Sequence, residues 1–286
     1  MKLTALRPEN PIAWMAACGV MRLLPGARLR WVDQTPELDC GDDVIAVLAV
    51  MAAERLKSPE LHYSHKLTAN MDHAAWQDLG QLPGEWALAL GSQIETGMHC
   101  TNLKIRPGGG YDMMRDARTL VERLSGLDVP DKLREALEGP WRYEDASCVA
   151  WGWDAGARID PAGIGSKSEA APKWGVLGAY WLGWESLPLF PMLDGRTLGW
   201  SKGLTYPTWS EWLDYQDLKA LLLGHDSLGT EDRKTLGVRV WFAEYLKTDP
   251  SSGRLGWAGE RARTWSDGKP PGPSRKSQPT DSVLIV

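Results

Sequence analysis

Asn10-Pro11-Ile12-Ala13-Trp14-Met15-Ala16-Ala17-Cys18-Gly19-Val20-Met21-Arg22-Leu23-Leu24 begins with a helix-start signal and continues with apolar residues at helical spacing. Asparagine before proline reads as an N-cap followed by proline at the first helical position. Ile12, Met15, Ala16, Gly19, Val20 and Leu23 then recur every three or four residues, the period of a helix face. The run stops at Pro25-Gly26. Beyond it, Ala27 to Val32 alternates Arg28 and Arg30 with Leu29 and Trp31, as a half-buried strand does. Helix followed by strand sets the expectation for the whole chain, an α+β fold.

Working outward, Asp42 to Lys57 predicts a second helix capped by Asp42 or Asp43. His62 to Asp72 reads as polar loop, and Trp86 to Leu90 as a short strand. Asp112 to Leu124 carries Met113, Ala117, Leu120, Val121 and Leu124 on one side and predicts a helix; Pro130 to Leu137 predicts another. The second half changes character. Val149 to Trp153 is strand-like, and Asp154 to Lys173 reads as one long loop of the kind that is usually functional or disordered. Gly178 to Leu187 and Tyr215 to Leu223 predict helices. Thr197 to Trp200, Leu204 to Trp209 and Gly237 to Leu246 predict strands, the first two flanking a Ser201-Lys202-Gly203 turn. From Pro250 the chain turns polar, and Lys269 to Pro279 reads as a mobile tail. The expected division is a mainly helical part over 1–140, a Trp-rich α+β part with short antiparallel strands over 141–250, and a polar basic tail over 251–286.

Composition bounds the function. The 286 residues are long enough to bury a core without staples. The chain has 16 Trp against 2 Phe; indoles suit core packing, interfaces and base stacking, and packing accounts for most of them. A net charge of −5 argues against a free-standing basic nucleic-acid binder but leaves room for a subunit with one local cationic patch. Cys18, Cys40, Cys100 and Cys148 are widely spaced, without a C-x-x-C, as in a reduced cytoplasmic protein. No signal-peptide build and no apolar run of membrane-spanning length is read.

The segment Lys104-Ile105-Arg106-Pro107-Gly108-Gly109-Gly110-Tyr111-Asp112 precedes the helix that carries Arg115 and Arg118. Glycines let backbone N–H groups approach a ligand, and a helix start adds unpaired N–H groups and partial positive charge. Together they read as a phosphate seat, though the spacing is neither the Walker pattern nor the dinucleotide fingerprint. The same residues also read as a flexible loop with a helix cap.

Signs of catalysis are absent from the sequence. His62, His65, His73, His99 and His225 match no zinc spacing, no G-x-S-x-G elbow occurs, and the 37 carboxylates form no evident dyad. No catalytic residue, no metal and no cofactor is expected.

Several blocks resemble one family. Leu6 to Leu24 resembles the "NP-x-x-x-x-A-x-G-x-x-R-L-L" start of CRISPR-associated proteins from type I-G (formerly I-U) systems. Gly108-Gly109-Gly110 before Arg115-Asp116-Ala117-Arg118 is similar to their glycine-rich turn and following "AR" helix. Trp153-Asp154 with Arg158, Gly178-Ala179-Tyr180-Trp181-Leu182 and Leu187-Pro188-Leu189-Phe190-Pro191 resemble the central block, and Thr197-Leu198-Gly199-Trp200 and Pro207-Thr208-Trp209 the block after it. A second basic pair usual after Arg158 is missing. The family holds large-subunit-like effector proteins and extensions of the helicase-nuclease. The resemblance implies a non-enzymatic subunit of a crRNA-guided surveillance complex, which contacts target DNA near the flanking motif and helps to open it. Its partners would be other effector subunits, crRNA, target DNA and the helicase-nuclease, with no membrane.

On this expectation Lys104, Arg106, Gly108, Gly109, Gly110, Arg115 and Arg118 grip a phosphate backbone. Ser166, Lys167 and Lys173 in the long loop meet the flanking motif. Trp200, Tyr206, Trp209 and Trp212 read as packing residues before stacking ones. The rival readings are an adaptor that recruits the helicase-nuclease and a small-ligand enzyme of unrecognised fold.

Overall fold

The apolar run after Asn10 forms helix α1 (Pro11–Leu23), in which every residue except Arg22 is buried. The computed structural model describes residues 1–41, 43–67, 71–94, 97–104, 112–146, 151–159, 173–224, 228–249 and 252–261. After α1 come the hairpin β1 (Arg28–Val32) and β2 (Thr35–Asp39), then α2 (Val44–Glu54) with 3₁₀ turns at Arg55–Lys57 and Pro59–His62. Next are α3 (His73–Gly80), α4 (Gly84–Leu90), β3 (Gly91–Ile94), β4 (Gly97–Cys100), α5 (Met113–Ser125) and α6 (Val129–Leu137). Three short strands follow, β5 (Asp145–Ala146), β6 (Arg158–Ile159) and β7 (Lys173–Gly175), then α7 (Leu177–Glu185) and a 3₁₀ turn at Leu187–Leu189. The chain continues through β8 (Met192–Leu193), β9 (Arg196–Thr197), β10 (Gly203–Thr208), α8 (Tyr215–Gly224), α9 (Thr230–Leu236), β11 (Arg239–Asp249), β12 (Ser252–Leu255) and β13 (Gly259–Glu260). Every strand pairing among the described residues is antiparallel, and the fold is α+β.

The centre is the α1–α7 pair. Apart from Arg22 and Glu185 near their C-terminal ends, both helices carry no charge on any side, the mark of a buried helix, and every residue of α7 is buried. They meet at Gly19, where an added Cβ would lie 1.9 Å from the Leu182 carbonyl oxygen. Strand β10 closes another side: Trp14 Nε1 donates to the Pro207 carbonyl at 2.8 Å, and the Trp14 ring stacks on Tyr206 at 4.7 Å. Helix α6 covers α7 through Gly178, which approaches the Lys132 carbonyl. One hydrophobic cluster runs from Leu3 to Ala258 and takes in both halves, so the change of character near residue 140 marks no break in packing.

Several expectations need correction. Asn10 sits at the N-cap position of α1 but its side chain does not cap the helix; it turns to Asp154 instead. Trp86 to Leu90 is not a strand but most of α4, since a five-residue apolar run carries no period that separates the two states. Strand β9 ends at Thr197, and Trp200 makes only an isolated bridge to Leu204. Residues 151–153 are irregular; 149–150 lie outside the described residues. The strand expected over Gly237 to Leu246 starts at Arg239 and runs to Asp249, and its buried side chains among the described ones are Trp241 and Ala243. Residues 252–261 are not tail: β12 and β13 fold back on β11. The remaining expected tail, 262–286, lies outside the described residues.

The hairpin turn at Asp33-Gln34 has φ of +47° and +64°. A two-residue turn matching strand twist requires positive φ at both positions, and no glycine announces it here.

Candidate nucleic-acid interface

The segment after β4 leads from Cys100 to Lys104, and α5 starts at Met113. Between them, Arg106, Gly108, Gly109 and Gly110 lie outside the described residues, as do Ser166 and Lys167. Lys173 opens β7, paired with Ile159.

The flanks of the glycine stretch are held by specific hydrogen bonds. Asp112 caps α5: its Oδ1 accepts from the backbone N–H groups of Met114 and Arg115, each at 3.1 Å. The helix start therefore already holds a carboxylate of its own chain, which corrects the expectation that it offers unpaired N–H groups to a phosphate. Arg118 Nε donates to the Leu61 carbonyl at 2.8 Å. The Lys104 ammonium donates to the Leu67 carbonyl. Burial pushes the Lys104 pKa down, the Cys100 thiol and Asp112 work against this, and Lys66 adds to it. Lys104 and Arg118 thus tie the 61–67 segment to the end of the β4 connection and to α5. Arg115 is different: its side chain is 64% exposed and its nearest acid is Asp116 at 3.9 Å, too far for a hydrogen bond.

Nearby, His65 Nε2 meets Asp78 at 2.7 Å and Tyr63 OH donates to the Ala75 carbonyl at 3.0 Å. Cys100 Sγ is 4.0 Å from Met71 Sδ. Among the described residues no three His, Cys, Asp or Glu side chains gather to hold a metal ion. Tyr206 and Trp209 are buried in the core, and Trp212 lies under the Arg30 guanidinium at 4.5 Å.

Two polar clusters escaped the sequence reading. Glu185, fully buried at the end of α7, accepts from Arg55 Nε at 2.6 Å and from Arg22 Nη1 at 2.9 Å. Glu60 pairs with Arg55 as well. Both guanidiniums lie over Trp86, at 5.1 Å for Arg22 and 5.5 Å for Arg55. The two arginines, Arg22 and Arg55, also line an open cleft of about 690 Å³ with Met51, Lys57, Glu85 and Tyr215 among others. The legible signal was a lone charge in each of two all-apolar helices, Arg22 in α1 and Glu185 in α7.

The second cluster joins the ends of α1 and the central block. Asp154 Oδ1 accepts from Asn10 Nδ2 at 2.7 Å and from the Gly156 N–H at 2.8 Å, while the Ala155 N–H donates to Asn10 Oδ1 at 3.2 Å. Burial pushes the Asp154 pKa up, against the hydrogen bonds from Asn10, Gly156 and Tyr143. Such a group binds protons more tightly folded than unfolded, so its contribution to stability is largest at low pH. The contribution fades as pH rises from the ordinary carboxylate value through the native one. Asp154→Asn keeps an oxygen facing Asn10 and removes the titration. Urea unfolding between about pH 4 and pH 7 is expected to show wild type losing stability relative to Asp154→Asn as pH rises. Parallel curves would exclude Asp154 from this linkage.

No protein-family model matches this chain, and no curated protein matches it. No helix among the described residues is long and apolar enough to cross a membrane.

Proposed function

We propose that the chain is a non-catalytic subunit of a type I-G CRISPR RNA-guided surveillance complex, contacting target DNA near the flanking motif and helping strand opening. One observation carries this reading: the blocks that resemble the family, far apart in sequence, touch one another. Asn10 meets Asp154, Gly19 meets Leu182, and Trp14 meets Pro207. These residues build the α1–α7–β10 core.

Within this reading the grip divides in two. Arg115, with Arg106 and the glycines Gly108 to Gly110, faces the phosphates; Lys104 and Arg118 tie the flanks of the stretch to the 61–67 segment. Ser166, Lys167 and Lys173 supply a second contact at the flanking motif. Base pairing with crRNA reads the target sequence, and the protein holds strands by shape and charge.

A subunit also needs a face to bury. Helix α2 has one: it is apolar along most of its length, yet Val50 is 62% exposed and Ala46 and Ala53 are open beside it. That face favours, as a second reading, an adaptor that joins the helicase-nuclease to the complex.

The chain, expressed with its neighbouring subunits, should copurify with them and with a short RNA. Arg106→Ala with Arg115→Ala should weaken target-DNA capture by the assembled complex and lower its salt slope by about 1 per lost phosphate contact. Capture at wild-type strength would remove the grip from this site. Val50→Glu should release the chain from the assembly. If it does so while the arginine variants capture DNA normally, the adaptor reading prevails.

A further inference from the structure

Helix α2 is apolar from Val44 through Ala53 without a break. A helix that is apolar on every side is at rest only when every side is covered. Here one side is covered: Val44, Ile45, Leu48 and Ala52 are buried, and Val47, Ala49 and Met51 lean partly on the core. Opposite them, Ala46, Val50 and Ala53 are exposed. The helices packed beside it, α5 and α6, behave otherwise and turn Arg115, Glu122, Asp131 and Arg134 to solvent. The open side of α2 therefore has the composition of an interface rather than of a solvated face.

Charges of opposite sign bound this apolar side at its two ends. Asp43 precedes the helix; it is exposed, and its Oδ1 accepts from the Ala46 N–H at 3.2 Å. Lys57 ends the 3₁₀ turn that continues α2 and is exposed as well. Neither is engaged in an ion pair among the described residues. Val50 stands midway between them in the chain, about two helical turns from each and on their side of the helix. An antiparallel crossing of α2 with α2 of a second copy, centred on Val50, thus sets each Asp43 opposite a Lys57. It also sets each Glu54 beside the first turn of the opposing helix, at the positive end of that helix's dipole. A parallel crossing would set Asp43 on Asp43 and Lys57 on Lys57. The face is its own complement, which is what a two-fold interface requires.

We propose that α2 pairs antiparallel with α2 of a second copy, about a two-fold axis at Val50, so that the isolated chain forms a weak homodimer. Val50 packs on its own counterpart, and the small side chains of Ala46 and Ala53 on either side let the helix axes approach to about 8–10 Å. One helix on its copy buries less than about 1,200 Å², the range of transient complexes, which corresponds here to a dissociation constant of about 10–100 μM. A different protein would need an apolar strip bounded by the same two charges in reverse order; a second copy has one by symmetry. The inference concerns the chain by itself and does not rest on the surveillance-complex reading. Within an assembly, a partner that takes this face would displace the second copy.

Sedimentation velocity of the full chain, from about 1 μM to about 300 μM, should show monomer at the low end and dimer at the high end. Val50→Glu, at an exposed position, should weaken association by about 10-fold or more with its thermal melt unchanged. Lys57→Glu should weaken it by about 5- to 10-fold, and salt at about 0.5 M should weaken the wild-type dimer more than that of Lys57→Glu. Cysteine cross-linking reads the orientation. Under mild oxidation Val50→Cys should give a covalent dimer beyond what the wild-type cysteines give; Ala46→Cys should not, and Ala46→Cys with Glu54→Cys should. A wild type that stays monomeric throughout, a dimer that survives Val50→Glu, or cross-linking of Ala46→Cys as ready as that of Val50→Cys would overturn the proposal. A dimer lost in Val50→Glu, with that variant still joining the effector subunits, would sustain the inference and remove the adaptor reading from α2. A monomeric wild type whose Val50→Glu variant leaves the assembly would do the reverse.

Discussion

Glu185→Ala is expected to cost about 3–5 kcal/mol of folding stability, the usual result of removing one partner from a buried ion pair. The Glu185 carboxylate has no solvent exposure. Its Oε2 accepts from Arg22 at 2.9 Å and from Arg55 at 3.0 Å, and its Oε1 from Arg55 at 2.6 Å. Burial pushes the Glu185 pKa up, and the guanidiniums of Arg55 and Arg22 pull it back. In the alanine variant the two cations, 17% and 14% exposed, would keep only Glu60 against Arg55 and, for Arg22, Glu85 across the open cleft. Trp86 beneath them cannot replace a carboxylate, because a cation over an aromatic face gains only about 0.5–2 kcal/mol. Glu185→Gln keeps the volume and one acceptor and should lose less. Urea titration measures both; a loss below about 1 kcal/mol for the alanine variant would show that water from the adjoining cleft screens the pair.

Gly19→Ala should be comparably severe for a different reason. The new Cβ would stand 1.9 Å from the Leu182 carbonyl oxygen, with the Leu182 carbonyl carbon at 2.8 Å. Both obstacles are backbone atoms of α7, and no side-chain rotation relieves them. The helices must separate, and separation opens gaps along the whole buried α1–α7 contact. Overpacking of this kind costs about 1–3 kcal/mol and more where backbone cannot yield, so a loss at or beyond the upper end is expected. Gly19→Val should abolish the folded state. Near-ultraviolet circular dichroism, dominated by the 16 tryptophans, would report loss of packing. An alanine variant as stable as wild type would mean that α1 and α7 tolerate a wider spacing.

These positions also separate what could be read from what could not. Helices α1, α2, α5, α6 and α8 follow from apolar spacing, with aspartates capping α2, α5 and α6, because these are local effects that the flanking few residues decide. Strand β1 follows in the same way from alternation. Strand β2, Thr35-Pro36-Glu37-Leu38-Asp39, has little strand preference of its own. It is held by β1 on one side and by the Leu3 N–H bonding to the Pro36 carbonyl on the other. Helix α4 is not legible, because its apolar run is too short to carry a period. The fold-back of β12 and β13 is hidden in a polar sequence, whose buried apolar side chains among the described residues are Leu255 and, between the strands, Ala258.

The candidate interface divides similarly. A basic, glycine-rich stretch before a helix is plain in the sequence; that Asp112 occupies the helix start, and that Lys104 and Arg118 reach carbonyls of the 61–67 segment, is not. Sequence by itself determined the helix and strand inventory near each cap and period, the α+β class, and the places where charge interrupts an apolar helix. Tertiary structure alone decided which of those charges meet, that Asn10 serves Asp154 rather than its own helix, and that Trp257 faces outward. The physical reason is range: caps and periodicity act over a turn or two of chain, whereas desolvation and pairing depend on segments brought together from more than a hundred residues apart, such as Asn10 with Asp154.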